Sequence, residues 1–559
     1  MASSVINQQD RIYQPPDHIT DPYALAIDSI KTVIDRTFPL LSYLMMGGFY
    51  MKDRHVFMAF CLLFIAIFYV GSAESEGYRD LEKNIEEHTL PNGHTFLLVN
   101  RSTAPVFSFC TLVHAGAVDE QYGIGGIAHM MEHMAFKGTE TVGTTDFKAE
   151  YEAMNQEDDA YEALLNEKRK GIFADSTRLE SLEAAFREAQ DEANQYVIPN
   201  EYSKILDRHG ASGVNAGTGA DMTIYFYSLP SNKIELWALM ESDRLTNPVF
   251  REFYQENEVV QEERRQRLES SPAGRLLDEF LSAAFKEHPY GHGLIGTQSD
   301  LRSFTRREGT AFRNAYYVAP NMTTVIVGDI DIGDTKKLLD EYFSAMPDRP
   351  LPPVVDTKEP PQSAERRIIM EDSAQPFFVV GYHIPDQRHP DYPAIQAALD
   401  ILANGRTARL YKALVKDSKT AVQVGGFAGY PGAQYNTIAM IYAIASAGQD
   451  VRTVETQFHE IVESMMKDGI TEEELNGYKA RAKARYIRQL RSDNGLARML
   501  ATYQEFYGGW RNLFRYLDTV ESITTDDVQR VVEATFAKNN RTVGIIVPPA
   551  EAGEEEVAQ

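Results

Sequence analysis

The chain has 559 residues, 43% of them hydrophobic and 24% charged, and a formal net charge of −26 at pH 7. That size and apolar content allow more than one buried core, and two sizeable domains are expected. The deficit of Lys and Arg excludes a nucleic-acid binder, because phosphates would go unneutralised.

At the N-terminus, residues 1–50 form a polar extension. Val56 to Val70 (VFMAFCLLFIAIFYV) carries no charge, follows Lys52, Arg54 and His55, and precedes the small residues Gly71, Ser72 and Ala73. Residues 51–75 thus have the layout of a secretory signal, with an apolar run short for a spanning helix. Two readings stay open. Either Met51 starts an ordinary signal peptide and residues 1–50 are an artefact of start assignment, or the run is a signal anchor and membrane attachment with a cytoplasmic tail. In both, the rest of the chain is exported, lying in the periplasm or anchored facing the extracytoplasmic side. Only two cysteines occur, and because Cys61 lies inside this run, no structural disulfide with Cys110 is expected.

A first unit is expected over residues 85–347. LPNGHTFLLVN and PVFSFCTLVHAGA read as a hairpin, with Asn92-Gly93 before its first strand. A helix follows from about Ile124 to Lys137. Between Tyr151 and Leu206 the chain is highly charged, with Leu179, Leu182, Phe186, Ala189, Ala193 and Tyr196 spaced by three and four. That heptad seam predicts a helical hairpin inserted over 152–205, turning near Gly171 to Ser176. The unit closes with a helix, Pro320-Asn321 and the strand TTVIVGDI. Residues 348–365 (PDRPLPPVVDTKEPPQ and its surroundings) are rich in proline, which suits a linker.

A second unit, 366–548, repeats the plan: a strand at PFFVVGYHI, a helix through HPDYPAIQAALDILAN, long helices from Val451 to Gly508 and a closing strand TVGIIV. The two endings, AYYVAPNMTTVIVGD and EATFAKNNRTVGIIVP, each offer a helix, an Asn-containing turn and a β-branched strand, as an internal duplication would. An acidic tail, 549–559, follows. Strands and helices mix without strict alternation, which gives an α+β fold of two related domains.

The chemistry centres on GIGGIAHMMEHMAFKG. His129 and His133 are four residues apart and Glu132 is three after the first, so all three leave one helical face within about 100°. Neutral imidazoles suit Zn²⁺, and a carboxylate beside them can take a proton from water. Ile127, Met130, Met131 and Met134 leave little polar surface, which argues against two merely solvated histidines. The order H-x-x-E-H is the inverzincin pattern. A third ligand is best sought in YQENEVVQEERRQR, where helical phase puts Glu263 on one inward face with Val259, Val260 and Glu256, and turns Glu258 and Glu262 away. Glu256, two turns earlier, is placed to orient or charge-tune the site.

GGIAHMMEHMAFKGTE followed by ENEVVQEERRQR resembles the pitrilysin/insulinase family, particularly bacterial and mitochondrial-processing-peptidase-like members, from about Leu90 to Val547. The resemblance implies one Zn²⁺ per chain held by His129, His133 and Glu263, Glu132 as general base, and Glu256 in support of catalysis. NAGTGADMTIYFYSL resembles the strand on which family members pair with an extended peptide substrate, which makes Asn215 and Ala216 candidate substrate contacts. It also implies that the chain forms one half of a clam-shell peptidase.

Two departures stand out. His133 and Glu263 are 130 residues apart, an excess the helical insertion accounts for. In the family the opposite half supplies an Arg and a Tyr seven residues apart, whereas RLYKALVKDSKTAVQV has Val415 and Val422 there, neither able to hold an oxyanion. A second, homologous subunit lacking the zinc motif and supplying the Arg/Tyr pair is therefore expected; the alternative is a homodimer that tolerates the valines. The resulting reading is a zinc-dependent endopeptidase acting on peptides or unfolded segments. Its rivals are a non-catalytic structural or assembly subunit of a membrane-associated complex, and a membrane-anchored binding protein working through the charged hairpin.

Overall fold

The computed structural model describes residues 81–549. The polar extension, the apolar run Val56 to Val70 and the acidic tail from residue 550 lie outside the described residues. No helix among the described residues is long and apolar enough to cross a membrane.

The first half contains β1 (Ile85–Thr89), β2 (Thr95–Asn100), β3 (Val106–Val113), α1 (Ile127–Met134), α2 (Phe147–Lys168), α3 (Ser176–Asn194), β4 (Ser212–Thr218), β5 (Thr223–Pro230), α4 (Phe253–Arg264), α5 (Pro272–Ala284), α6 (Arg306–Tyr316) and β6 (Met322–Gly328). Its six strands lie in the order β1-β2-β6-β3-β5-β4. The hairpin expected between TFLLVN and PVFSFCTLV does not form. β2 pairs instead with β1, around the Asn92-Gly93 turn, and β6 inserts between β2 and β3. All seven β6 residues are buried, so its backbone groups need partners on both sides, and only an interior position supplies them.

The second half contains β7 (Arg366–Glu371), β8 (Phe377–Ile384), α7 (Tyr392–Ala403), β9 (Ala421–Tyr430), β10 (Thr437–Ala445), α8 (Glu472–Arg491), α9 (Asp493–Phe506), α10 (Thr525–Thr535) and β11 (Arg541–Val547). The strand order is β7-β11-β8-β10-β9. Both sheets are mostly antiparallel with one parallel pair, β2 with β6 and β7 with β11, each joining the closing strand of its half to an early one. The duplication extends to single side chains. Asn321 Nδ2 donates to the carbonyls of His114 and Tyr316, and Asn540 Nδ2 to those of His383 and Thr535, all at 2.9 Å. Each Asn thus ties the end of its helix to the neighbouring strand before the closing strand begins.

The two halves interlock by exchanging helices. α5, from the first half, packs on β7 and β11, while α9, from the second, packs on β3 and β6. Phe280 of α5 lies so near β8 that a Cβ at Gly381 would stand 2.9 Å from its ring, a close approach only glycine permits. Residues between Phe343 and Arg366 form neither helix nor strand.

The helical hairpin is α2 with α3, so it spans 147–194 rather than 152–205; the chain then enters a separate short helix, Glu201–Arg208. Its ends meet, Thr145 N–H donating to Tyr196 O at 2.8 Å. The base of this hairpin is no free appendage. Glu150, Glu157 and Asp158 are buried there against Arg251, Arg306 and Tyr254. Buried carboxylates survive only when paired, so the base is part of the first core while the tip, Ile172 and Phe173 included, is exposed.

Candidate metal centre

α1 starts where it does because a glycine allows a tight approach. Gly126 has φ +93°, and a Cβ there would lie 2.4 Å from Ile295 O. Glu120 then closes the helix start, its two carboxylate oxygens accepting from the N–H groups of Gly126 and Ala128 at 2.8 Å each. Burial pushes the Glu120 carboxyl up to about 8 despite these bonds. Ile127, Met130, Met131 and Met134 face the first core, which turns His129, Glu132 and His133 toward α4.

From α4 comes Glu263, and the ligand atoms of His129, His133 and Glu263 lie within 4.8 Å of one another. His129 Nε2 is 3.7 Å from Glu263 Oε1, and His133 Nε2 is 3.4 Å from Glu263 Oε2. Two ligands each about 2.1 Å from a tetrahedral ion stand about 3.4 Å apart, so these three groups fit zinc in both kind and spacing. The face that carries Glu263 differs from the expected one in one respect. Val259 is 52% exposed, and the inward stripe is Phe253, Glu256, Asn257, Val260 and Glu263. Val259, three residues after Glu256 and four before Glu263, lies at the solvent edge of that stripe, while Val260 beside it faces the core.

Glu256 contacts a ligand rather than the metal position: its Oε1 lies 2.9 Å from His133 Nδ1. Its Oε2 pairs with Lys137 at 2.7 Å, and Lys137 also reaches Glu252 at 3.2 Å. Burial works against the Glu256 carboxylate, but the hydrogen bonds from His133 and Lys137 outweigh it and hold its pKa at about 2. Burial likewise opposes charge on His133, yet Glu256, Glu263 and Glu132 together raise its pKa. His129, more deeply buried and next to His133, is lowered to about 4 and so is held as the neutral imidazole that a metal requires.

Glu132 makes no side-chain hydrogen bond or ion pair with another described residue, which leaves its carboxylate free to accept a proton. Its charge acts on the buried, mutually bonded hydroxyls of Tyr225 and Tyr317, 2.7 Å apart. Asn215 and Ala216 lie on β4, the edge strand beside α1. Asn215 is exposed, and its Oδ1 accepts from Ala216 N–H at 2.9 Å. Val415 is packed against the second core, and Val422 is exposed on β9.

Three residues of the surroundings escaped sequence reasoning. Lys137 lies four residues after His133, just past the end of α1, a spacing that would have revealed it. Glu120 and Arg267, which pairs with Glu263 at 2.8 Å, had no distinguishing signal in so charged a chain.

Comparison with known proteins bears on this geometry. Residues 95–166 and 191–298 match the model of the insulinase family, peptidase family M16, and residues 303–482 match that of the peptidase M16 inactive domain. The unmatched residues 167–190 are the turn of the helical hairpin and most of α3. The zinc protease PqqE of Helicobacter pylori is 26% identical over 472 residues, 83% of this chain and 93% of that protein. An uncharacterized zinc protease of Mycobacterium leprae is 22% identical over 473 residues, 84% of this chain and 92% of that protein. Among solved structures, a protease from Helicobacter pylori superposes with a TM-score of 0.70 at 23% identity, over 83% of this chain and 99% of that one. The periplasmic protease PqqL from Escherichia coli gives a TM-score of 0.61 at 16% identity, over 83% of this chain but 47% of that one.

Proposed function

The chain belongs to the insulinase (M16) peptidase family, and from that premise we propose that it is a zinc-dependent endopeptidase acting on peptides or unfolded segments. The observation that carries the proposal is the convergence of His129, His133 and Glu263 beside Glu132, whose charge acts on His133 and whose carboxylate has no partner among the described residues. His129 and His133 on α1 and Glu263 on α4 would hold the ion. Bound zinc supplies Lewis-acid polarisation of a carbonyl and acidifies water.

The chain's own residues do the rest. Glu256 fixes the ring of His133 and its tautomer through Nδ1, leaving Nε2 as the ligand atom. Glu132 takes a proton from the attacking water and delivers it to the nitrogen of the departing amine, so the peptide bond breaks with its proton balance closed. An extended substrate adds to the exposed edge of β4, and in doing so competes with the Asn215 side chain for the Ala216 N–H.

We further infer a homologous partner subunit without the zinc motif, supplying Arg and Tyr groups where this chain has Val415 and Val422. The chain spans about half of PqqL and 92% of a structure described as the first half of that protein, which supports the reading that a second such half is required. The apolar run at 56–70 supports export, with the peptidase unit periplasmic or membrane-anchored on the extracytoplasmic side. The match of residues 303–482 to an inactive-domain model keeps one rival in view, a non-catalytic assembly subunit.

Metal analysis and peptide cleavage together test the proposal. Wild type is expected to carry one zinc per chain, His129→Ala and Glu263→Gln to lose it, and a flexible quenched peptide to be cleaved by the zinc-loaded chain with its partner. Zinc retained by both variants would refute the assigned ligands.

A further inference from the structure

We propose that a cavity lined by α8, α9 and the start of α7 is a binding site for a small polyvalent anion, bearing several carboxylate or phosphate groups. The cavity has a volume of about 1010 Å³, at the upper limit of sites that hold a small ligand. Arg388, Arg485, Arg488, Arg498, Arg515 and His389 line it, and among the described residues not one Asp or Glu does. In a chain with 81 acidic and 55 basic residues, a wall of one sign and the minority sign requires a reason.

The arginines are not consumed by the fold. Arg488 and Arg498 have no carboxylate within ion-pair distance among the described residues, and Arg515 donates only to Asn512 Oδ1 at 2.9 Å. Arg485 and Arg388 are held loosely from outside the cavity, by Asp400 at 3.8 Å and Asp386 at 3.5 Å. Like charges gathered around one space repel one another, and a ligand of opposite charge relieves that repulsion at several points together. The N-terminal end of α9 opens into the same space and adds the positive end of a 14-residue helix.

Flat walls complete the site. Tyr503 and Tyr507 stack with ring centroids 4.3 Å apart, and Tyr486 stacks on Tyr516 at 5.3 Å. Such rigid faces hold the cavity open and accept the carbon skeleton of a ligand whose charges face the guanidinium groups. The site is distinct from the metal centre. Arg498 lies over the ring of Phe226 at 4.7 Å, whereas the neighbouring Tyr225 meets Phe136 just after α1. Successive strand residues face opposite sides, so the two sites flank opposite faces of the first sheet.

The test is calorimetric titration of the full chain with two probes, inorganic tripolyphosphate and a hexaglutamate peptide. At least one is expected to bind saturably, one per chain, and more weakly at high salt. Binding of tripolyphosphate alone identifies a free phosphate compound as the ligand class, and binding of hexaglutamate alone an acidic peptide. Arg488→Gln alone, and together with Arg498→Gln and Arg515→Gln, is expected to weaken binding roughly tenfold or more with the melting temperature unchanged. Arg187→Gln on α3 leaves binding as it was. Saturable binding of neither probe, or equal binding by wild type and both cavity variants, overturns the proposal.

Discussion

Glu256 Oε1 stands 2.9 Å from His133 Nδ1 while Glu256 Oε2 stands 2.7 Å from Lys137 Nζ. One carboxylate therefore orients a metal ligand and is itself neutralised from behind. Glu256→Gln keeps the shape but can donate to the wrong atom and weakens the imidazole as a donor. Zinc affinity is expected to fall about 10–100-fold, the usual cost of losing such a partner. Competition with a chelator of known affinity measures this directly, and unaltered zinc affinity would remove Glu256 from the site's support.

Arg251, 1% exposed, joins the hairpin base to the metal helices. It bonds Glu150 at 2.8 Å, and the carbonyls of Lys137 and Thr139 at 2.7 Å and of Val142 at 3.0 Å. Arg251→Ala leaves the buried Glu150 without its arginine partner and the loop after α1 untied. A stability loss of about 3–5 kcal/mol is expected, together with a weaker zinc site. Equilibrium unfolding in denaturant reads the first and metal titration the second; a loss below about 1 kcal/mol would mean water replaces the guanidinium.

His94 is fully buried between Phe96 and Phe343, its Nε2 3.0 Å from Thr324 Oγ1. Burial lowers its pKa from 6.5 to about 3, so the fold holds the ring neutral. The unfolded chain takes up this proton below pH 6.5 and the folded one does not until about pH 3. The stabilisation is thus complete above pH 6.5 and is lost as pH falls through that window, by a few kcal/mol at most. His94→Gln is expected to flatten the slope of unfolding free energy between pH 6.5 and 4, and an unchanged slope would place the acid sensitivity elsewhere.

Gly126 begins α1 with φ +93° and no room for a Cβ. Gly126→Ala is expected to cost more than about 1 kcal/mol and to lower zinc occupancy, because the strain falls three residues before His129. A thermal melt with zinc quantified on the same sample checks both, and a stable variant with full zinc would contradict this role.

What was legible in the sequence was local. His129, Glu132 and His133 could be read because four residues make one helical turn, and the Asn321 and Asn540 turns because each lies beside its own strand. Glu263 was reachable through the stripe it shares with Glu256 and Val260, even though Val259, assigned to that face, points to solvent. The strand pairing of β2 was not legible, since Thr95 meets Thr323 across 228 residues of chain. The buried pairs Glu150 with Arg251 and Glu157 with Arg306 were hidden for another reason. In a helix as charged as α2 nothing local separates a carboxylate that faces solvent from one that faces an arginine in the core.

The most direct test of the central claim compares wild type with Glu132→Gln, both with measured zinc content, on a flexible quenched peptide, each alone and mixed with a homologous subunit lacking H-x-x-E-H. Both chains are expected to hold one zinc, with cleavage by the variant reduced about 100-fold or more and cleavage by wild type dependent on the partner. Equal rates for the two, or a zinc-loaded wild type that stays inactive with every partner, would contradict the peptidase account and favour a non-catalytic assembly subunit.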